Sequence, residues 1–282
     1  MPKHAINGQQ IYYEDTGGTG VPVVFSHGLL MDHEMFAPQV DALRSRYRVI
    51  TWDQRCHGLT ESTTDPFTYW DSADDLAGLL DHLSIERAVL GGMSQGGFVS
   101  LRFALRYPER VRALVFFDSQ AGPEDPDKAA TYGVMQKVWE AEGLHDPMAE
   151  IIAAITFGTD WPGRGTWIEK WRRMPRELGR QMFNPLVERE DLHDRLGEIT
   201  APALVIHGTA DAAIDMDLAE RLCSGLADCH GLVQIEGAGH SANLTDPEPV
   251  NRALLAFLGK VVSPPRSRGG RPAREASRPG GE

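Results

Sequence analysis

The sequence predicts an α/β fold built on a mostly parallel sheet with helices on both faces. Three observations carry this. Short apolar runs of strand length recur along the chain, segments of helical periodicity separate them, and 282 residues at 41% hydrophobic suffice for one large domain or a domain with an insertion.

The elements follow in order. Ala5-Ile6 and Ile11-Tyr12-Tyr13 flank Asn7-Gly8, a pair suited to a type I′ turn, so the chain opens with a hairpin. Val21 to Phe25 is the first strand beyond it and ends at Ser26-His27-Gly28; Tyr47 to Trp52 is the next and ends at Asp53. Between them Met35, Phe36, Val40 and Leu43 recur at helical spacing. Asp71 to Leu83 reads as a helix capped by Asp71 or Ser72, with Ala73, Leu76, Leu79, Leu80 and Leu83 on its apolar side. Ala88 to Leu90 is a buried strand, Gly96 to Tyr107 a helix closed by Pro108, and Val111 to Phe117 a strand. Pro202 to Ile206, Leu218 to Leu226, Leu232 to Ile235 and Val250 to Leu258 repeat the alternation of strand and helix.

Residues 119–200 break the rhythm: these 82 residues hold no convincing strand. Helical patterns run over Val134 to Trp139, Met148 to Ile155 and Trp167 to Met174, and four of the six tryptophans lie here. A structureless loop of that length is implausible, so a helical cap inserted between two strands is expected, its tryptophans packing a small subdomain. The organisation that follows is a core from 1–118 and 201–262, a cap at 119–200, and a tail at 263–282. That tail interleaves prolines and glycines with five arginines and two glutamates, a composition that cannot bury apolar surface and is expected to be disordered.

Composition excludes several classes. A net charge of −12 argues against a nucleic-acid partner, which needs clustered Lys and Arg. No apolar stretch is long enough to span a bilayer, and residues 1–8 lack the apolar region of a secretory signal. Cys56, Cys223 and Cys229 are too few and scattered for a disulfide framework; they are expected as free thiols in a reducing, cytoplasmic setting. No compact His, Cys and Asp cluster suggests a metal, so no metal or cofactor is expected. Nothing sets an oligomeric state.

The chemistry concentrates at strand ends. Ala88-Val89-Leu90 runs into Gly92-Met93-Ser94-Gln95-Gly96 and then a helix, the strand–turn–helix setting of a Gly-x-Ser-x-Gly nucleophile elbow. On so tight a turn, side chains two residues either side of Ser94 would collide, and the helix that follows presents its positive end to developing negative charge. A serine needs an adjacent base. Ile235 to Ser241 leaves the final strand through a glycine-rich loop that delivers His240; His27 is the other histidine at that edge. Asp211, just past Ala203 to Ile206, is the expected acid, with Asp118 a serious rival and Asp215 and Asp217 nearer ones that read as a turn residue and a helix cap. The N–H groups of Leu29 and Gln95 are the expected oxyanion donors.

His27-Gly28, Asp53-x-Arg55-x-His57-Gly58, the elbow, Gly208-Thr209-Ala210-Asp211 and Gly239-His240 stand in the order found in the α/β-hydrolase superfamily, which the chain resembles from about Gly8 to Leu258. His27 to Asp32 and Gly237 to Asn243 are most similar to the enol-lactone hydrolases and related small-molecule esterases. The resemblance implies the chain order Ser94, Asp211, His240 for a triad acting on a small ester or lactone. Carbon–carbon hydrolysis, cofactor-free perhydrolysis and slow-turnover ligand sensing use the same fold and triad and stand as alternatives. Cys56 occupies a position that is usually glycine, and Gln95 one where methionine is common. Asp53, Arg55 and His57 are expected to brace loops.

Overall fold

The computed structural model describes residues 3–262. The strands are β1 (Lys3–Ile6), β2 (Gln9–Asp15), β3 (Val21–Ser26), β4 (Tyr47–Trp52), β5 (Ala88–Met93), β6 (Val111–Phe117), β7 (Ala203–Gly208) and β8 (Cys229–Ile235). The helices are α1 (Ala37–Leu43), α2 (Tyr69–His82), α3 (Gln95–Arg106), α4 (Pro126–Glu142), α5 (Asp146–Phe157), α6 (Arg164–Arg172), α7 (Gly179–Val187), α8 (Met216–Gly225), α9 (Ala242–Thr245) and α10 (Pro247–Val261). All eight strands join one sheet in the order β1-β2-β4-β3-β5-β6-β7-β8. The β1–β2 and β2–β4 pairs are antiparallel and every other pair is parallel. Asn7 and Gly8 both take positive φ, 48° and 80°, as a type I′ hairpin turn requires.

Alternation along each buried strand divides the core in two. Val23, Phe25, Val89, Val115, Phe117 and Ile206 face the side that α1 and α10 cover. Val24, Leu90, Leu114, Phe116 and Val205 face the side of α2, α3 and α8. Strands buried on both faces read as unbroken apolar runs, which is why these segments show no polar alternation. From β3 the chain crosses to β4 on one side and to β5 on the other. That reversal makes a crevice at the carboxyl ends of β3 and β5, the usual binding place in an open α/β sheet.

Three expectations are corrected. Helix α2 begins at Tyr69, not Asp71: Thr68 is its N-cap, and Asp71 at the third helical position returns the bond to the Thr68 N–H. This reciprocal box satisfies two free donors, and its Thr-x-x-Asp pattern lies in the sequence. Cys223 and Cys229 are bonded to each other, their Cα atoms 5.5 Å apart, because α8 stops at Gly225 and the chain turns straight back into β8. Only Cys56 is a free thiol, so the cysteines no longer argue for a reducing compartment. Asp215, not Asp217, holds the cap position of α8.

Four helices, α4 to α7, fill the interval between β6 and β7. Helix α7 was not expected; Pro185 inside it masks the period. Among the described residues no helix is long and apolar enough to cross a membrane. The tail expected at 263–282 lies outside the described residues.

Candidate active site

Five loops leave the carboxyl ends of β3, β5, β6, β7 and β8 beside the crevice. Ser94 follows β5 directly and caps α3 with φ 50° and ψ −114°, a strained conformation for a residue with a side chain. Close packing imposes it. A Cβ on Gly92 would sit 2.2 Å from the Gly96 carbonyl, and one on Gly96 would sit 1.9 Å from the Ser26 carbonyl oxygen. The Ser94 N–H donates to Phe117 O (2.9 Å), and the Ser119 hydroxyl donates to the Ser94 carbonyl (2.9 Å), fixing both ends of the residue.

The structure brings together the three residues singled out for a triad. His240 Nε2 lies 3.0 Å from Ser94 Oγ, and His240 Nδ1 lies 2.8 Å from Asp211 Oδ2. Asp211 Oδ1 accepts the N–H groups of Ala213 and Ile214 (2.8 and 3.0 Å), which leaves Oδ2 aimed at the imidazole. Burial pushes the Asp211 carboxyl up, but the charge and hydrogen bond of His240, the Ile214 N–H and His207 outweigh it and hold it below the usual carboxylate range.

Asp118, the rival acid, does different work. Its two oxygens accept the N–H groups of Gly208 (2.8 Å) and Ala242 (3.1 Å), so one buried carboxylate ties the loop after β7 to the loop after β8. Burial and then the Asp211 charge push its carboxyl well up. Asp118, His207 and Asp211 form a compact cluster, their ligand atoms within 4.8 Å of one another, which the sequence did not suggest because neighbouring strands 89 or more positions apart supply it. The donor set does not fit a cation well. Every carboxylate oxygen in it already accepts an N–H or faces the His240 imidazole, and His207 Nε2 donates to Ile214 O (2.9 Å); only the buried His207 Nδ1 is left, and a single nitrogen does not make a cation site.

His27, the rival base, is spent on structure. With no exposed surface, its Nδ1–H donates to Gly28 O (2.8 Å) and its Nε2 accepts the Gln54 N–H (2.9 Å), which defines a neutral ring. A peptide unit is planar and trans, so holding the Gly28 carbonyl also aims the Leu29 N–H the opposite way. Among the described residues neither the Leu29 N–H nor the Gln95 N–H has a partner. The Gln95 side chain accepts the Tyr69 hydroxyl (3.3 Å).

Burial, and then the charge of His57, push His27 down to about 3. The folded-state value therefore lies below the unfolded one of about 6.5, so its stabilisation is present above that pH and lost as pH falls toward 3. His57 and His207 shift the same way, both by burial, whereas the hydrogen bond and charge of Asp53 raise His33 and oppose them. Urea unfolding at pH 7 and pH 5 is expected to show a loss of about 2 kcal/mol from His27 alone. Asp118, whose carboxyl is pushed well up, acts in the opposite sense, so the assignment is read on His27 itself: an imidazole NMR signal of His27 that titrates near its ordinary value would refute it.

Ser94 and His240 open into a cavity of about 60 Å³. Leu29, Leu30 and Met31 wall one side; Tyr132, Ile152 and Phe183, from α4, α5 and α7, roof it. None of the four tryptophans of the helical segment lines it, and Trp139, Trp167 and Trp171 are core residues. The sequence did not single out the roof, whose apolar residues look like ordinary helix packing. Besides Ser94 and His240, the cavity's polar lining residues are Glu124, Tyr132 and Thr156, and burial raises the Tyr132 hydroxyl to about 12, so it is a neutral donor. Asp53 accepts from His33 and Leu59, Arg55 pairs with Asp75 (2.6 Å), and His57 Nδ1 lies 2.7 Å from Arg55 O, so all three brace loops. Cys56 is buried with φ 64°, its thiol on Thr63 O and pushed up by burial.

Residues 21–151 match the family model described as alpha/beta hydrolase fold. A thermophilic esterase from Thermogutta terrifontis is 32% identical, with a TM-score of 0.82 over 93% of this chain and 97% of its own. The chain belongs to the α/β-hydrolase family. Other α/β-hydrolases similar to it include the enol-lactonase from Burkholderia xenovorans, 27% identical with a TM-score of 0.83 over 92% of this chain and 100% of its own. The protein named "Putative carbamate hydrolase RutD" of Caulobacter vibrioides is 30% identical over 261 residues, 88% of this chain and 95% of its own.

Proposed function

We propose that this α/β-hydrolase cleaves small carboxylic esters or lactones through an acyl-enzyme on Ser94. The observation that carries the reading is the unbroken line from Asp211 through His240 to Ser94, 2.8 and 3.0 Å, at the floor of a largely apolar cavity. Ser94 Oγ attacks the carbonyl carbon while His240 Nε2 takes its proton. Asp211 keeps the other ring proton on Nδ1 and stabilises the imidazolium. The Leu29 and Gln95 N–H groups receive the developing oxyanion, each worth about 2.7–4 kcal/mol in the transition state. His240 then protonates the leaving alcohol and activates the water that releases the acid. In a lactone the leaving alcohol stays attached to the acyl group. The chemistry written this way needs no cofactor. Helices α4 to α7 act as a cap that selects small, mainly apolar substrates.

A carbamate is the second reading, favoured by the RutD relative. It places nitrogen beside the same carbonyl and uses the same addition step. The test is incubation with a fluorophosphonate followed by peptide mass analysis, together with turnover of p-nitrophenyl esters of increasing acyl length, lactones and an aryl carbamate. One label per chain on Ser94 and multiple turnover of esters or lactones is the expected result. Turnover of the carbamate alone would favour the second reading, and an unlabelled Ser94 would sink both.

A further inference from the structure

Helix α6 lies against the loop that follows β3 and grips it at three points. Trp171, with no exposed surface, donates its indole Nε1–H to the Leu30 carbonyl at 2.7 Å. One residue earlier, Lys170 reaches Asp32 at 2.7 Å and Glu34 at 2.6 Å. The loop needs the grip. Met31 N–H donates to Gly28 O at 3.1 Å, closing a tight turn, and Leu30 sits at its third position with φ 61°. That position favours glycine or asparagine, and a leucine there persists only when its surroundings over-determine it. Gly28 O, the acceptor of that turn, belongs to the same rigid peptide unit as the Leu29 N–H.

We propose that Trp171 is a positioning residue for the oxyanion site, its indole N–H holding Leu30 in the left-handed turn that aims the Leu29 N–H into the cavity. The inference rests on the reading of Leu29 as an oxyanion donor. The helical segment is thereby linked to the core: His27 holds the Gly28 carbonyl from one side, and the seated α6 holds the Leu30 end of the same turn from the other. Trp171 touches no reacting atom and acts through the turn alone. Burying the Leu30 carbonyl without a partner would cost more than its bond contributes when made, so the turn should relax once the indole N–H is gone.

The experiment compares three proteins by kcat and KM on the best ester, normalised to fluorophosphonate-titrated sites, and by inhibition with an alkyl boronic acid, which becomes tetrahedral on serine. Trp171→Phe is expected to lower kcat about tenfold, with KM nearly unchanged and boronate affinity weakened in parallel. Trp139→Phe is the control for losing a large buried ring in the same segment. Trp139 is equally buried, and its indole N–H has no hydrogen-bond partner among the described residues. It should lower the melting temperature while leaving kcat per titrated site as it was. Should Trp171→Phe fail to fold, benzothienylalanine at position 171 keeps the ring shape and removes only the N–H. Unchanged kcat per site at position 171, or equal losses at 171 and 139, would overturn the inference while leaving the esterase reading intact. Absence of Ser94-dependent turnover in the unmutated chain would overturn the reading and the inference with it.

Discussion

Replacing Ser94 with alanine is expected to lower kcat by about 10⁶ while the chain folds as before. The fold should tolerate it because Ser94 is held through its backbone. Its N–H is bonded to Phe117 and its carbonyl to the Ser119 hydroxyl, and neither bond uses the side chain. The hydroxyl itself faces only His240. Alanine keeps a Cβ at φ 50°, so the strain of the elbow stays as it is. What remains should be the binding and oxyanion contributions, about 10³–10⁴-fold over water. The measurement is single-turnover and steady-state hydrolysis of the best ester, with circular dichroism to check folding. Activity within tenfold of the parent would remove Ser94 from the mechanism.

The second large effect separates two buried aspartates. Asp211→Asn is expected to lower kcat about 10⁴-fold, because an amide in place of Oδ2 presents N–H to His240 Nδ1 or turns the ring into the wrong tautomer. Asp118→Asn should behave differently. Its oxygens receive two backbone N–H groups, and an amide can accept only one of them, leaving a buried donor opposed by another at a cost of about 1–3 kcal/mol in stability. Activity per folded molecule should fall far less than with Asp211→Asn. The pair of variants is read by kcat and by urea unfolding. A larger kcat loss at Asp118 than at Asp211 would exchange their roles.

Much of this site was legible in the sequence because its signals are local. The elbow needs glycines two residues either side of Ser94 for reasons of contact within one turn, and those glycines stand in the chain as written. Asp211 and His240 follow short apolar runs closely enough that the sheet alone places them at one edge. The rest depends on contacts between distant segments. Asp118 and His207 are 89 positions apart, and only the pairing of β6 with β7 sets them side by side. The Cys223–Cys229 bond depends on where α8 stops, which composition does not reveal. Nor does it reveal which apolar faces of α4, α5 and α7 close over the cavity, since packing faces and lining faces use the same residues. Nothing local sets Trp171 apart from the other three tryptophans of the segment; its indole N–H is distinguished by one carbonyl, 141 positions away.

Among the described residues six other than glycine have positive φ, and four of them, Leu30, Cys56, Ser94 and Asp118, stand just beyond the exits of β3, β4, β5 and β6. Each such conformation costs on the order of 1–3 kcal/mol. Most of this backbone strain is therefore gathered along one rim, the one that carries the reacting groups. That rim is where stability and rate should trade against each other. Glycine at Cys56, whose thiol lies outside the cavity lining, should release strain without touching the reacting groups. The same relief at Ser94 should give a more stable protein and a slower one, whereas at Leu30, a buried core residue, the lost burial outweighs it. Stabilising changes are therefore expected at Cys56 and Ser94, where little burial or bonding is lost, and of the two only Ser94 should cost rate.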